Sequence, residues 1–110
     1  MRYFLAGFFI ISAALHLTSC TSQENLDHLY PDSSIVIKFQ DDYQTGEFHR
    51  RVKEFKNNPI GYDKIVFMGN SITYGMRHWD NKLEADNLVN RGISGDFSEG
   101  IQKRLDEIIH

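Results

Sequence analysis

Cysteine and proline are nearly absent from this sequence, which has one Cys (Cys20) and two Pro in 110 residues. A single cysteine excludes an internal disulfide and any cysteine-based metal cluster. With 41% hydrophobic residues, 25% charged residues and no low-complexity tract, a disordered tail or a repeat array is not expected. The length allows at most one small domain.

Long basic runs are also missing. The net charge is −3, and no uninterrupted run of Lys and Arg exceeds the pair Arg50-Arg51. Proteins that bind nucleic acid neutralise phosphates with a basic stripe, so we expect no nucleic acid among the partners. A phosphate-binding loop is excluded because Met76, not lysine, follows Gly75. The sequence therefore implies no cofactor and no metal ion.

The one long apolar run lies at the N-terminus, where residues 3–17 are interrupted only by Ser12 and His16. It is shorter than the roughly 20 residues that span a bilayer. Arg2 precedes the run and small residues end it, which is the layout of a secretory signal. Residues 1–19 are therefore predicted to be a signal peptide. A buried helix or an N-terminal membrane anchor is the alternative.

Residues 17–20 read LTSC and resemble the lipobox of bacterial lipoproteins. In those proteins the cysteine is lipidated and becomes the mature N-terminus. The resemblance implies a lipid on Cys20 and a protein held on a membrane of the bacterial cell envelope by its acyl chains. A free thiol just after a simple cleavage site is the alternative.

The remaining chain divides by composition. Residues 20–34 are polar without periodicity and are predicted to be a tether, which leaves residues 35–110 for a folded domain. This domain begins with IVIKF at residues 35–39, where β-branched and aromatic side chains predict a short strand.

A helix is predicted next. Phe48, Val52 and Phe55 are spaced so that they share one helical face, and Arg51 is expected to point outward. The sequence NNP at residues 57–59 predicts the end of this helix.

Two strands are predicted in the middle of the chain. Residues 64–69 (KIVFMG) are a continuous apolar run bounded by turn residues, which is typical of a strand buried on both faces of a parallel sheet. Leu88 and Val89 predict a second short strand. The order of strands and helices indicates an α/β layered sheet.

A final helix is predicted near the C-terminus, where one stripe contains the apolar residues Phe97, Ile101, Leu105 and Ile108. Asp96 and Glu99 predict a capping box at its start, and Asp96 and Ser98 are expected to cap the helix rather than to contact substrate. No strand follows for this helix to cover. We therefore expect the N-terminal part of a larger domain, with a complete miniature fold as the alternative.

Residues 65–75 (IVFMGNSITYG) lead from a predicted strand through a turn into a helix. Such a turn would raise the hydroxyl of Ser71 to the rim of the sheet, where ligands bind in open α/β folds. Gly69 lets the chain turn sharply and Asn70 tolerates unusual dihedral angles. The alternative is that Ser71 only caps the helix. Thr73 replaces the second glycine of G-x-S-x-G and excludes the α/β-hydrolase elbow.

A second stretch, NRGISGDFSEG at residues 90–100, also leads from a strand through glycines to a helix. Together the two stretches resemble the SGNH, or GDSL-like, hydrolase family. The form apolar run-G-[DN]-S-[IL]-[TS]-x-G matches residues 65–75, and N-x-G-I-S-G matches residues 90–95. The resemblance implies a three-layer α/β/α, flavodoxin-like domain with a parallel sheet, and ester hydrolysis through an acyl-serine intermediate.

The resemblance also implies roles for single residues. Ser71 would be the nucleophile, and the backbone N–H groups of Ser71 and Gly95 would form part of the oxyanion hole. Gly69, Asn70 and Asn90 would support them. Asn70 stands where the family more often has Asp, although Asn occurs there too.

Two other motifs of the family are missing from these 110 residues. They are G-x-N-D, which supplies an oxyanion-hole asparagine, and D-x-x-H, which supplies the acid and the base. Three positions before His28, His49, His78 and His110 stand Asn25, Gly46, Gly75 and Glu107. The chain is therefore expected to be an incomplete portion that is inactive by itself.

The function implied by the resemblance is removal of acetyl or other short acyl groups from carbohydrate or related small-molecule esters. Lysophospholipids are the alternative substrates. A non-catalytic, lipid-anchored binding lipoprotein or an inactive truncated product is the alternative function. Tyr74, Met76 and Trp79 are expected to pack beneath the next helix, with an acyl or sugar pocket as the alternative.

Overall fold

The computed structural model describes residues 25–76 and 78–110. The predicted signal peptide and Cys20 lie outside these residues. A short 3-10 helix, Asp27–Leu29, comes first. The elements that follow are α1 (Asp42–Asn57), β1 (Ile65–Gly69), α2 (Ser71–Gly75), α3 (Trp79–Leu83), β2 (Leu88–Gly92), α4 (Ser98–Lys103) and α5 (Asp106–Ile109).

Helix α1 begins with a capping box. The Asp41 carboxylate accepts from the Gln44 N–H at 2.8 Å, and the Gln44 side chain accepts from the Asp41 N–H at 3.0 Å. The predicted apolar face is confirmed, because Phe48, Val52 and Phe55 are all buried.

The end of α1 at Asn57, just before Asn58 and Pro59, is also as predicted. Proline cannot supply the backbone N–H that a further helical turn needs. Arg51 is buried, so its predicted outward orientation is wrong.

Strands β1 and β2 are parallel neighbours, with a register that runs from Ile65 opposite Leu88 to Gly69 opposite Gly92. The two strands predicted in the middle of the chain are confirmed, and the described residues form a mixed α/β structure. Strand β1 is only half-buried and Ile65 is exposed, so the predicted burial on both faces is wrong for this sheet. The sheet has two strands among the described residues, so the three-layer domain stays a prediction.

The core contains seven buried apolar residues from four segments: Leu29, Tyr30, Ile37, Phe48, Val52, Phe55 and Ile93. Two of them, Leu29 and Tyr30, belong to the stretch predicted as a tether. That part of the chain packs on α1 and contributes to the core.

The strand predicted at residues 35–39 is wrong. Ile37 is buried, but Val36 and Phe39 are exposed, and no described strand lies beside them to accept or donate ladder hydrogen bonds. Phe39 has a φ of 68°, which is incompatible with a strand, and the N–H of Gln40 donates to the carbonyl of Ile37 in a turn. The β-branched composition therefore reflects packing of Ile37, and in part of Ile35, against the core.

The predicted final helix is broken into α4 and α5 at Arg104 and Leu105. Phe97 and Leu105 are exposed, whereas Arg104 is only 1% exposed, so the apolar stripe does not face the core. The capping box is also wrong: the Asp96 carboxylate accepts from the Phe97 N–H, and Glu99 accepts from the Lys38 N–H. The most deeply buried side chain of this segment is therefore that of Arg104, not one from the apolar stripe.

Tyr30 provides a pH-dependent contact in the core. Its hydroxyl donates to the Phe55 carbonyl at 3.3 Å and to the Glu107 carboxylate at 3.1 Å. Burial, with the charge and hydrogen bond of Glu107, raises the pKa of Tyr30 to about 12. The folded state therefore binds this proton more tightly than the unfolded chain, whose tyrosines titrate near pH 10.

We expect this contribution to be present below pH 10 and lost as the pH rises through 12. Between these values the free energy of unfolding of the wild type should fall by about 1 kcal/mol more than that of Tyr30→Phe, after a discount for solvent screening. Urea unfolding of both proteins at pH 9 to 12 measures the difference. Parallel pH profiles for the two proteins would contradict the assignment.

Candidate active site

Ser71 lies directly after the turn that ends β1. Asn70 is the N-cap of α2: its side-chain oxygen accepts from the Ile72 N–H at 3.1 Å. Ser71 is the first helical residue and is exposed, and its hydroxyl has no hydrogen-bond partner among the described residues. The helix cap is therefore Asn70, and the Ser71 hydroxyl is available for other chemistry.

Helix α2 packs directly on the ends of both strands. A Cβ on Gly69 would collide with the Thr73 side chain, and a Cβ on Gly92 would lie 2.7 Å from the Tyr74 Cα. Gly69 does not have a positive φ, so it is needed for this close approach rather than for the sharp turn predicted from the sequence. Two glycines thus bring the Ser71 helix against the sheet.

Asn90 connects β2 to α2. Its side-chain amide donates to the carbonyls of Thr73 at 2.6 Å and Met76 at 3.3 Å, which lie at the end of α2. Its side-chain oxygen accepts from the Gly92 N–H at 2.8 Å. One side-chain amide therefore satisfies backbone groups at the end of α2 and at the end of β2 together.

The loop that follows β2 is hydrogen-bonded at its start to the last residue of β1. The N–H of Ile93 donates to the Gly69 carbonyl at 3.0 Å, and the N–H of Asp96 donates to the Ile93 carbonyl at 3.2 Å. Gly95, between them, has a φ of 75°, and a Cβ there would lie 2.6 Å from the Gln44 side chain. The segments that carry Ser71 and Gly95 therefore leave the sheet at the same edge.

Three buried arginines lie near this edge, and the sequence analysis did not predict their burial. Arg51 donates to the Gly92 carbonyl through two nitrogens, each at 3.3 Å. Arg104 pairs with Asp96 at 2.8 Å, and Arg91 pairs with Glu107 at 2.7 Å. The guanidinium carbons of all three lie within 6 Å of the Phe55 ring centre. No spacing signal reveals them, because arginine is ordinarily a surface residue.

Burial affects both members of the Asp96–Arg104 pair. It raises the pKa of Asp96 above its usual range, and the opposing pull of the Arg104 guanidinium limits that rise. Burial lowers the pKa of Arg104, again against the pull of its partner. An arginine remains protonated under all ordinary conditions, and its charge favours the ionised form of Asp96 against the effect of burial.

None of the four described histidines is hydrogen-bonded to Ser71. The His28 ring contacts the Asn25 carbonyl at 3.1 Å and lies edge-on to His110, while His49 lies against Phe48. His78 precedes α3. Among residues 25–76 and 78–110 there is also no group of His, Cys, Asp and Glu side chains suited to a metal ion.

A cavity of about 660 Å³ lies between α3 and β2. Trp79 and Asn90 line it, together with polar residues that include Asp80, Asn81 and Asp86. The Trp79 ring also stacks on Phe67 of β1, with ring centres 4.3 Å apart. Trp79 therefore packs on the sheet and lines a cavity as well, whereas Tyr74 packs under the Arg51 guanidinium at 4.8 Å.

Comparison with protein-family models, with curated proteins and with solved structures found no match to this chain.

Proposed function

We propose that this protein is a serine ester hydrolase of the SGNH, or GDSL-like, type, with Ser71 as the nucleophile. The observation that carries the proposal is the free Ser71 hydroxyl beside the capping side chain of Asn70. A serine used only as a cap would accept a backbone N–H, and here Asn70 does that. The hydroxyl is exposed at the carboxyl edge of a parallel sheet, where open α/β folds bind ligands.

In this proposal the hydroxyl oxygen of Ser71 attacks the ester carbonyl, the alcohol leaves, and water then releases the acid from the acyl-serine. The backbone N–H groups of Ser71 and Gly95 stabilise the negative charge on the carbonyl oxygen. The Ile93 to Gly69 hydrogen bond supports this pairing, because it joins the two loops at their base.

A general base must accept the Ser71 proton, and no described histidine is bonded to it. We propose that the acid, the base and the third oxyanion donor come from sequence outside these 110 residues. The 110-residue chain alone would then have little activity.

The proposed substrates are acetyl or short acyl esters of carbohydrates, with lysophospholipids as the alternative. The first choice rests on the resemblance of residues 65–75 and 90–95 to the family, because neither Ser71 nor Gly95 lines the cavity beside Asn90.

The proposed location is the bacterial cell envelope, with a lipid anchor on Cys20. Cys20 lies outside the described residues. Within the part of the chain that the structure describes, no helix is long and apolar enough to cross a bilayer. Metabolic labelling with a fatty acid, with Cys20→Ser as the control, tests the anchor.

Trapping of the intermediate tests the proposal. The full-length protein, meaning these 110 residues together with the further sequence proposed to supply the base, is mixed with p-nitrophenyl acetate. The reaction is quenched in acid, the protein is digested, and the peptides are analysed by mass spectrometry. We expect one acetyl group on Ser71 and release of p-nitrophenolate. Ser98 is a matched internal control, because it is also exposed and also the first residue of a short helix.

Acetyl on Ser71 and Ser98 alike, or on neither, would favour the alternative of a non-catalytic binding lipoprotein. The gene provides an independent test. An in-frame continuation past codon 110 with G-x-N-D and then D-x-x-H supports the hydrolase, and a stop codon there counts against it for this chain.

A further inference from the structure

Arg104 is a buried cation that contacts three separate segments of the chain. Its guanidinium donates to the Asp96 carboxylate through two nitrogens, at 3.1 and 2.8 Å. It also donates to the carbonyl of Arg91 in β2, and to the carbonyl of Gly69 at the end of β1 at 3.3 Å. The side chain is 1% exposed, so these bonds replace all of its contact with water.

The carboxylate of Asp96 is held as firmly as the guanidinium. One oxygen accepts from the Phe97 N–H at 2.9 Å and the other accepts from Arg104. A Cβ on Gly100 would collide with Asp96, so the glycine leaves room for the carboxylate. A buried charge is costly unless it is paired and hydrogen-bonded, and both members of this pair are.

The two ends of this network lie beside the proposed catalytic groups. Gly69 is two positions before Ser71, and Asp96 directly follows Gly95. A planar guanidinium holds its donors in a fixed geometry, so it fixes the distance between the groups that accept from it. Arg104 therefore spans the gap between the turn that carries Ser71 and the loop that carries Gly95.

We propose that Arg104 and Asp96 are a positioning pair, which holds the Ser71 turn and the Gly95 loop at a fixed separation. The catalytic consequence rests on the proposed function, since the separation matters when both N–H groups bind one oxyanion. Neither side chain touches the substrate. A displacement of about 1 Å between such groups lowers turnover by around a hundredfold.

The test is Arg104→Lys in the full-length protein. Lysine keeps the charge, but a single ammonium cannot reach Gly69, Arg91 and Asp96 together. With p-nitrophenyl acetate we expect kcat per folded molecule to fall 10- to 100-fold, while KM stays within twofold. The control is Lys53→Arg, the reverse exchange at an exposed position of α1. It should change kcat by less than twofold.

A purely structural role would reduce the folded fraction but leave kcat per folded molecule unchanged. The folded fraction is therefore measured by urea unfolding of each variant. An unchanged kcat per folded molecule in Arg104→Lys would overturn the proposal. If Arg104→Lys fails to fold, Asp96→Asn takes its place, since the amide keeps the shape but has one accepting oxygen and cannot accept from both the Phe97 N–H and Arg104. The same fall in kcat is expected for Asp96→Asn, and an unchanged kcat per folded molecule in that variant would likewise overturn the proposal.

Amide hydrogen exchange separates failure of this proposal from failure of the proposed function. In Arg104→Lys, the Ile93 and Asp96 amides should exchange at least tenfold faster than in the wild type. The amides within α1 should not change. If the Ile93 and Asp96 amides exchange at the same rates in Arg104→Lys as in the wild type, the positioning pair is overturned even in an active enzyme. Faster exchange in a protein without Ser71-dependent hydrolysis would leave the pair in place and refute the hydrolase instead.

Discussion

Replacement of Ser71 by alanine is expected to lower kcat for p-nitrophenyl acetate by at least about a thousandfold in the full-length protein. The reason is chemical, because alanine has no oxygen to form the acyl intermediate. The remaining activity would come only from substrate binding and the oxyanion donors. The free energy of unfolding should change by less than about 0.5 kcal/mol, since the exposed hydroxyl has no partner among the described residues.

Ser98→Ala is the matched control for this experiment. Both serines are exposed and each begins a short helix, so loss of either hydroxyl removes the same group from the same local environment. Ser98→Ala should leave kcat within twofold of the wild type. Equal rates of hydrolysis by the wild type and Ser71→Ala would refute the role assigned to Ser71.

Gly92→Ala should have the largest effect on the structure around Ser71. The new Cβ would lie 2.7 Å from the Tyr74 Cα and 2.8 Å from the Thr73 carbonyl carbon, and these are backbone atoms of α2 that cannot rotate away. Helix α2 would have to move off the sheet, which breaks the hydrogen bonds that Asn90 makes to it. We expect a loss of about 3 kcal/mol in the free energy of unfolding, measured in urea.

The same substitution should also lower kcat, because α2 carries Ser71. Gly46→Ala is the control: Gly46 is inside α1, and an added Cβ there meets nothing within 4 Å. It should stabilise the protein by about 0.5 to 1 kcal/mol, since alanine favours the helix. Wild-type stability in Gly92→Ala would mean that α2 does not pack on β2 as described.

Much of the fold could be predicted from local patterns. Phe48, Val52 and Phe55 identified the buried face of α1, because the helical period acts within a few residues. The continuous apolar run of residues 64–69 identified β1, and this pattern is also local. The strand predicted at residues 35–39 was wrong, because β-branched composition cannot reveal whether a neighbouring strand exists. In that stretch Ile37 is buried in the core and Ile35 packs against the core in part, without a strand.

The candidate site was predicted less completely. The motifs predicted that Asn70 and Ser71 follow a strand ending at Gly69, and that Gly95 lies in a second glycine-containing loop. The structure was needed to show that Asn70 is the cap and that Ser71 is left free. The choice between two adjacent polar side chains depends on dihedral angles that a motif does not specify.

The buried charges depend most strongly on contacts between distant segments. Asp96 was expected to cap a helix, and no sequence pattern marked Arg104. In the folded chain they meet inside the protein, where Arg104 joins the ends of β1 and β2. Local sequence was enough to predict α1, β1 and β2, because the forces behind those patterns act between near neighbours. The cost of burying a charge is repaid only by partners from distant segments, and their positions exist only once the chain has folded.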